Sequence, residues 1–144
     1  MKLFNCLNTS DIPKPNGMDW IDLCTRNEDF KTCPACGRLI FGKLVGGHLI
    51  ELTDDGEVKV CILPICDSCN SKRENLEPFN YTGTPVYHSA ELSDRILNDE
   101  YAGEDHIRNK EYIEAVKRYL NMDNSGNFEQ YITRWKEDNG YIKE

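Results

Sequence analysis

An α+β fold organised around a bound metal ion is the architecture this sequence predicts, and three observations predict it. Two short cysteine pairs, Cys33-Pro34-Ala35-Cys36 and Cys66-Asp67-Ser68-Cys69, stand apart in the chain. A β-hairpin signal lies between them, and apolar residues at helical spacing follow them. A cysteine pair with two intervening residues lets both sulfurs reach one ion from a single turn. Two such pairs, Cys33, Cys36, Cys66 and Cys69, complete the closed tetrahedral thiolate shell of structural zinc. A redox dithiol is the competing reading of each pair. The doubled motif, and the lack of a βαβ frame around either pair, speak against it.

Residues 1–17 contain Pro13, Pro15 and Gly17 and read as an irregular lead-in. From Met18 to about Phe30, the positions of Trp20, Ile21, Leu23 and Cys24 predict a short helix. The first cysteine turn, shaped by Pro34 and Gly37, leads into Leu39-Ile40-Phe41 and Leu44-Val45, interrupted by Gly42 and Gly46-Gly47. His48 to Thr53 and Val58 to Leu63 flank Asp54-Asp55-Gly56-Glu57, a hairpin signal. With Asp55-Gly56 as a two-residue loop, Glu51 pairs with Val60, Ile50 with Cys61 and His48 with Leu63. His48, Ile50, Cys61 and Leu63 then share one face, and Glu51 points to the other.

Pro64 ends the second strand, and Asp67 can cap a short helix running to about Asn75. Knuckle, hairpin and helix in this order make a zinc-bound treble clef. Beyond Pro78, a loop with Gly83 and Pro85 leads to three helical stretches, about Ala90 to Asn98, Asp105 to Asn121 and Asn127 to Asp138. Ile113, Val116 and Leu120 recur at helical spacing in the second, and Phe128, Tyr131, Ile132 and Trp135 in the third. Such aromatic stripes are core packing far more often than binding surfaces. The expected organisation is a lead-in with a short helix over 1–30, the treble clef over 31–80 and a helical region over 81–144. The flanks of the metal unit are thus mainly helical.

Composition narrows the class. At 144 residues and 39% hydrophobic content, the chain suits one modest core helped by a metal anchor. Seven cysteines, an odd number, with no export signal point to reduced thiols in a cytoplasm. Cys6, Cys24 and Cys61 then remain as buried or half-buried thiols. No stretch reaches membrane-spanning length, so no membrane partner is expected. The formal net charge of −8 works against a general polyanion binder, since lysine and arginine supply most nonspecific phosphate affinity. Lys72-Arg73 could form a local basic face, although adjacent basic residues on a surface helix are usually just solvated.

The stretch from Cys33 to Phe79, about a third of the chain, resembles the HNH endonuclease family in its zinc-bound form. The matching elements are Cys33-Pro-Ala-Cys36-Gly37, Gly47-His48-Leu49-Ile50, Leu63-Pro64-Ile65-Cys66-Asp-Ser-Cys69-Asn70 and Asn75-Leu76-Glu77-Pro78-Phe79. The resemblance implies a ββα-metal unit that cleaves phosphodiester bonds with one divalent ion, magnesium or manganese. His48 matches the general base. Asn70 matches the position that helps hold the catalytic ion, and the four cysteines match the separate structural zinc. Two positions depart from the pattern. Gly47 stands where an acidic ion ligand usually precedes the histidine, and Cys61 stands where an asparagine orients it. A thiol is a poor acceptor for an imidazole N–H, and neither residue offers magnesium an oxygen. Asp67, on the same helix face as Asn70, is a substitute carboxylate if it is not simply a cap.

Two functions follow. One is a divalent-metal-dependent endonuclease on DNA or RNA, with His48 as base and Asn70 as ion ligand. The alternative is a non-catalytic zinc-binding module, a regulator or inhibitor that binds a protein or nucleic-acid partner. The acidic helical region would be its docking surface for a protein. On the bland reading His48 merely packs in the hairpin, Asn70 bonds its own turn, and His88 and His106 are ordinary surface or core histidines.

Overall fold

The hairpin forms the middle of a five-stranded antiparallel sheet in the computed structural model, which describes residues 2–9, 11–14, 18–24, 32–39, 44–102, 107–122 and 127–141. The strands are β1 (Lys2–Asn5), β2 (Leu44–Leu52), β3 (Val58–Cys66), β4 (Phe79–Asn80) and β5 (Val86–Tyr87), in the order β4-β1-β2-β3-β5. Four α-helices accompany them among the described residues: α1 (Asp67–Ser71), α2 (Ala90–Leu97), α3 (Asn109–Leu120) and α4 (Phe128–Asp138). Single 3-10 turns lie at Trp20–Leu23 and Arg73–Asn75. The class is α+β. No described helix is long and apolar enough to cross a membrane.

The flank before the cysteine pairs is not mainly helical where it is described: it holds a strand and a single 3-10 turn. Lys2–Asn5 forms a strand between β4 and β2, pairing Phe4 with Ile50. Four residues are too few to show a period, and pairing on both sides, not local propensity, makes them a strand. Leu3 and Phe4 are both fully buried because the sheet is covered on both faces there. The predicted helix from Met18 shortens to one 3-10 turn, and its remainder to Phe30 lies outside the described residues.

The hairpin is present with its register moved by one residue. Its loop is longer than two residues: Thr53 N donates to Glu57 O at 3.0 Å, Gly56 N donates to Thr53 O at 3.0 Å, and Gly56 takes φ +86°. This is a three-residue loop closed by a left-handed glycine. Ile50 therefore faces Val60, His48 faces Ile62 and Gly47 faces Leu63. A one-residue slip moves each side chain of one strand to the other face. The expected grouping of His48, Ile50, Cys61 and Leu63 is thus corrected. His48 and Ile50 share a face with Val60 and Ile62, whereas Cys61 and Leu63 lie opposite with Leu49 and Glu51. β3 also runs on through Pro64 to Cys66. Because β5 pairs only with Cys61 and Ile62, the other side of Pro64 is an edge, where proline is accommodated.

Each face builds its own core. On one side Phe4, Ile50 and Val60 pack with Ile96 of α2, Tyr112 and Val116 of α3, and Phe128, Ile132 and Trp135 of α4. On the other, Leu3, Leu49, Cys61, Leu63 and Ile65 pack with Cys33, Cys66, Cys69 and Leu76. The aromatic stripes are core, as their period predicts, and the C-terminal helices complete the domain around the sheet. Helix starts differ slightly from expectation: α3 begins at Asn109, with residues 105 and 106 outside the described set, and α4 is capped by Asn127, whose Oδ1 accepts from Gln130 N at 3.2 Å.

Candidate metal centre and the adjoining cleft

The first cysteine turn is held by its backbone. Cys33 N donates to Arg38 O at 3.0 Å, Gly37 N donates to Cys33 O at 2.8 Å, and Gly37 takes φ +72°. The second pair lies at the junction of β3 and α1. Here Cys66, not Asp67, caps the helix: its Sγ accepts from Cys69 N at 3.4 Å. A sulfur in that position does the work expected of Asp67, which is exposed and outside the cleft described below.

The four sulfurs converge. All lie within 4.8 Å of one another, with Cys33–Cys69 and Cys36–Cys66 separations of 3.9 Å. Zinc–sulfur bonds of about 2.3 Å in a tetrahedron put sulfurs about 3.8 Å apart, so the tetrad is close enough to hold one metal ion. Cys66 N also donates to Cys33 Sγ at 3.3 Å, an interaction that favours a thiolate. Burial pushes the Cys33 and Cys69 thiols up, so a metal must displace protons to bind. No disulfide links the described cysteines. The other three are buried or half-buried thiols. Burial raises Cys6 far above the ordinary range, Cys24 to about 11 and Cys61 to about 12, which disfavours their thiolates.

A cleft of about 530 Å³ adjoins the metal unit, and it brings His48 and Asn70 together. Asn5 fixes its floor, donating from Nδ2 to Cys69 O at 3.3 Å and Arg73 O at 3.0 Å. The loop after β1 forms one wall, held by the fully buried Asn109, which accepts from Leu7 N and donates to Leu7 O, both at 2.9 Å. α4 closes the far side through Lys136, whose Nζ lies 2.8 Å from the Glu74 carboxylate, and Tyr112 Oη donates to Glu74 O at 2.9 Å. None of these polar ties was legible in the sequence, because each joins residues dozens of positions apart.

His48 is 6% exposed. Its ring stacks on His88 at 5.0 Å between centroids and 16° between planes, and Trp20 packs edge-on at 4.7 Å. Both Nε2 atoms are buried without a hydrogen-bond partner. Burial, and then the neighbouring His88, push the His48 imidazole down to about 3, and burial lowers His88 too. His88 thus has a partner that sequence spacing did not reveal, since His48 lies on β2 and His88 forty positions later, just after β5, with its N donating to Val60 O of β3 at 3.3 Å. His106 lies outside the described residues.

The space beside His48 bears on the second ion. A Cβ on Gly47 would sit 2.5 Å from Ile65 Cδ1 and 3.3 Å from Asn70 Oδ1. Ile65 therefore occupies the room an acidic side chain at 47 would need. Cys61 is on the opposite face from His48 and cannot orient it. Within the cleft the carboxylate is Glu74, already engaged by Lys136. Among the described residues the cysteine tetrad alone gathers three or more histidine, cysteine or acidic donors. This donor set fits zinc at the tetrad and falls short of the oxygen shell of magnesium or manganese at His48. No family model matches the chain, and no curated protein or solved structure matches it either.

Proposed function

We propose that the protein is a zinc-stabilised treble-clef module of HNH type that works by binding a partner and not by cutting phosphodiester bonds. The single observation that carries this reading is Ile65 Cδ1, 2.5 Å from the point where a side chain on Gly47 would begin. With that position closed and Glu74 ion-paired, no carboxylate among the described residues is available beside His48 to hold a catalytic ion. An imidazole held down to about 3 is also a weak base for activating water. The exposed acidic side chains of α2 to α4, among them Glu91, Glu114, Glu129 and Glu137, suit a basic protein surface. The unpaired cysteines suit a reducing compartment such as the cytoplasm.

A second reading is favoured by one specific observation: His48 and Asn70, separated by a strand and a turn, line the same cleft. On that reading the protein is a magnesium- or manganese-dependent endonuclease on DNA or RNA, with His48 as base and Asn70 as ion ligand. The test uses zinc-loaded protein with plasmid and single-stranded substrates, in magnesium and in manganese, beside His48→Ala. No cleavage by the folded wild type is the expected result. Cleavage that disappears in His48→Ala would establish the nuclease.

A further inference from the structure

We propose that the cleft between the metal unit and α4 is a nucleotide-binding site, taking the phosphate of a mononucleotide or strand terminus at Arg73 and its base at Tyr141. A volume of about 530 Å³ lies within the range of small-ligand sites, about 300–1,000 Å³. Its lining is chemically divided. Arg73 and Ser71 supply a guanidinium and a hydroxyl, while Ile107 and Tyr141 supply apolar and aromatic surface.

Arg73 is placed there at a conformational cost. Its φ of +50° is a left-handed conformation that non-glycine residues adopt uncommonly, at about 1–3 kcal/mol when strained. Asn5 Nδ2 holds this turn by donating to Arg73 O at 3.0 Å. Among the described residues no carboxylate pairs with the guanidinium, in contrast to Lys136, which Glu74 neutralises at 2.8 Å. A planar fork of donors left unpaired in a polar cleft is suited to a phosphate group. Tyr141 is fixed by Trp135 at 5.4 Å between ring centroids and by a hydrogen bond from its hydroxyl to Glu111. A ring immobilised in this way is a stacking platform that any base can use.

This assignment stands apart from the choice between interaction module and nuclease, because a nucleotide can occupy the cleft in either. The test is calorimetric titration of the zinc-loaded full chain with adenosine and uridine 5′-monophosphates, adenosine, inorganic phosphate and a short 5′-phosphorylated oligonucleotide. One equivalent of a monophosphate or of the oligonucleotide should bind at least about ten-fold more tightly than adenosine or inorganic phosphate. The tighter of the two identifies a free nucleotide or a strand end. Arg73→Gly removes the cation while suiting the left-handed backbone, so it keeps the fold and should weaken nucleotide binding about ten-fold or more. Tyr141→Ala should weaken the nucleotide and leave inorganic phosphate unchanged. Absence of saturable binding by every phosphorylated probe would overturn the assignment. So would unaltered affinity in Arg73→Gly, or inorganic phosphate binding as tightly as the nucleotides.

Discussion

The two faces of the β2–β3 hairpin are held by different physics. One face meets three helices and buries large side chains, including Phe4, Tyr112, Phe128, Ile132 and Trp135. The other meets a short loop and a five-residue helix, and its largest contributions are aliphatic residues of the sheet itself plus four sulfurs. Hydrophobic burial scales with the apolar area removed from water, so the helix face can stabilise itself. A five-residue helix and one knuckle bury less, and an ion held by the cysteine tetrad would supply what packing does not. One sheet thus carries a face held by packed helices and a face built around the cysteine tetrad.

The largest expected effect tests that division directly. Structural zinc contributes about 10–16 kcal/mol of apparent free energy in small zinc domains at neutral pH. Elemental analysis should find one equivalent of zinc, and Cys66→Ser should lose the metal and melt well below the wild type, with the helix face keeping a transition of its own. Chelation should do the same to the wild type. A chelated protein that kept its melting temperature would show that the cysteine face needs no ion.

On the helix face the expected effect is smaller and independent of metal. Ile132 is fully buried against the sheet. Ile132→Ala should cost about 2–5 kcal/mol in urea denaturation, from lost transfer energy and the cavity left behind. Zinc content should remain at one equivalent. Loss of the ion in this variant would mean that the two faces are a single cooperative unit.

The metal face was the more legible of the two in the sequence, because cysteine chemistry is written locally. Cys33, Cys36, Cys66 and Cys69 announce a tetrad by spacing alone, and they converge. The amphipathic helices were legible for a similar reason: a 3.6-residue period is a local pattern. β1 was not, since its partners lie more than forty residues away and its four residues carry no period. The hairpin register failed by one residue because Thr53 accepts from Glu57 N and widens the loop, a choice that Asp-Gly alone does not reveal. The cleft was legible only in part. His48 and Asn70 came from a motif, while Arg73's left-handed turn, Asn109's buried bonds and the His88 stack come from long-range packing.

Two adjacent glycines sharpen the comparison, because they point to opposite faces. A Cβ on Gly46 would lie 2.5 Å from Ile21 N and 2.6 Å from Trp20 C, both backbone atoms. A Cβ on Gly47 would meet only the Ile65 side chain within 3 Å. Backbone cannot yield as a side chain can. Gly47→Ala should therefore cost about 1–3 kcal/mol, and Gly46→Ala more. Adding Ile65→Ala should recover part of the Gly47→Ala cost and none of the other, a coupling that a double-mutant cycle measures. Equal coupling in both pairs would show that the faces yield alike.

The smallest effect concerns His48, which lies on the helix face next to the metal unit's cleft. Its folded-state value of about 3 is below the 6.5 of an unperturbed histidine, with burial the main cause and His88 the second. Trp20, which also packs against the ring, carries no charge to offset this. A depressed histidine means that the unfolded chain binds the extra proton first. Its contribution to stability is present above pH 6.5 and is lost as pH falls toward 3, at about 1.4 kcal/mol per pH unit. His88, lowered by burial, acts with the same sign. Thiolate protonation also releases zinc in acid, so the informative quantity is a difference. Urea denaturation at pH 7 and pH 5.5 should show a steeper loss in the wild type than in His48→Leu, with zinc content equal in both. Parallel slopes would mean that the imidazole is solvated in the folded protein, and that the pair with His88 opens toward the cleft instead of packing beneath Trp20.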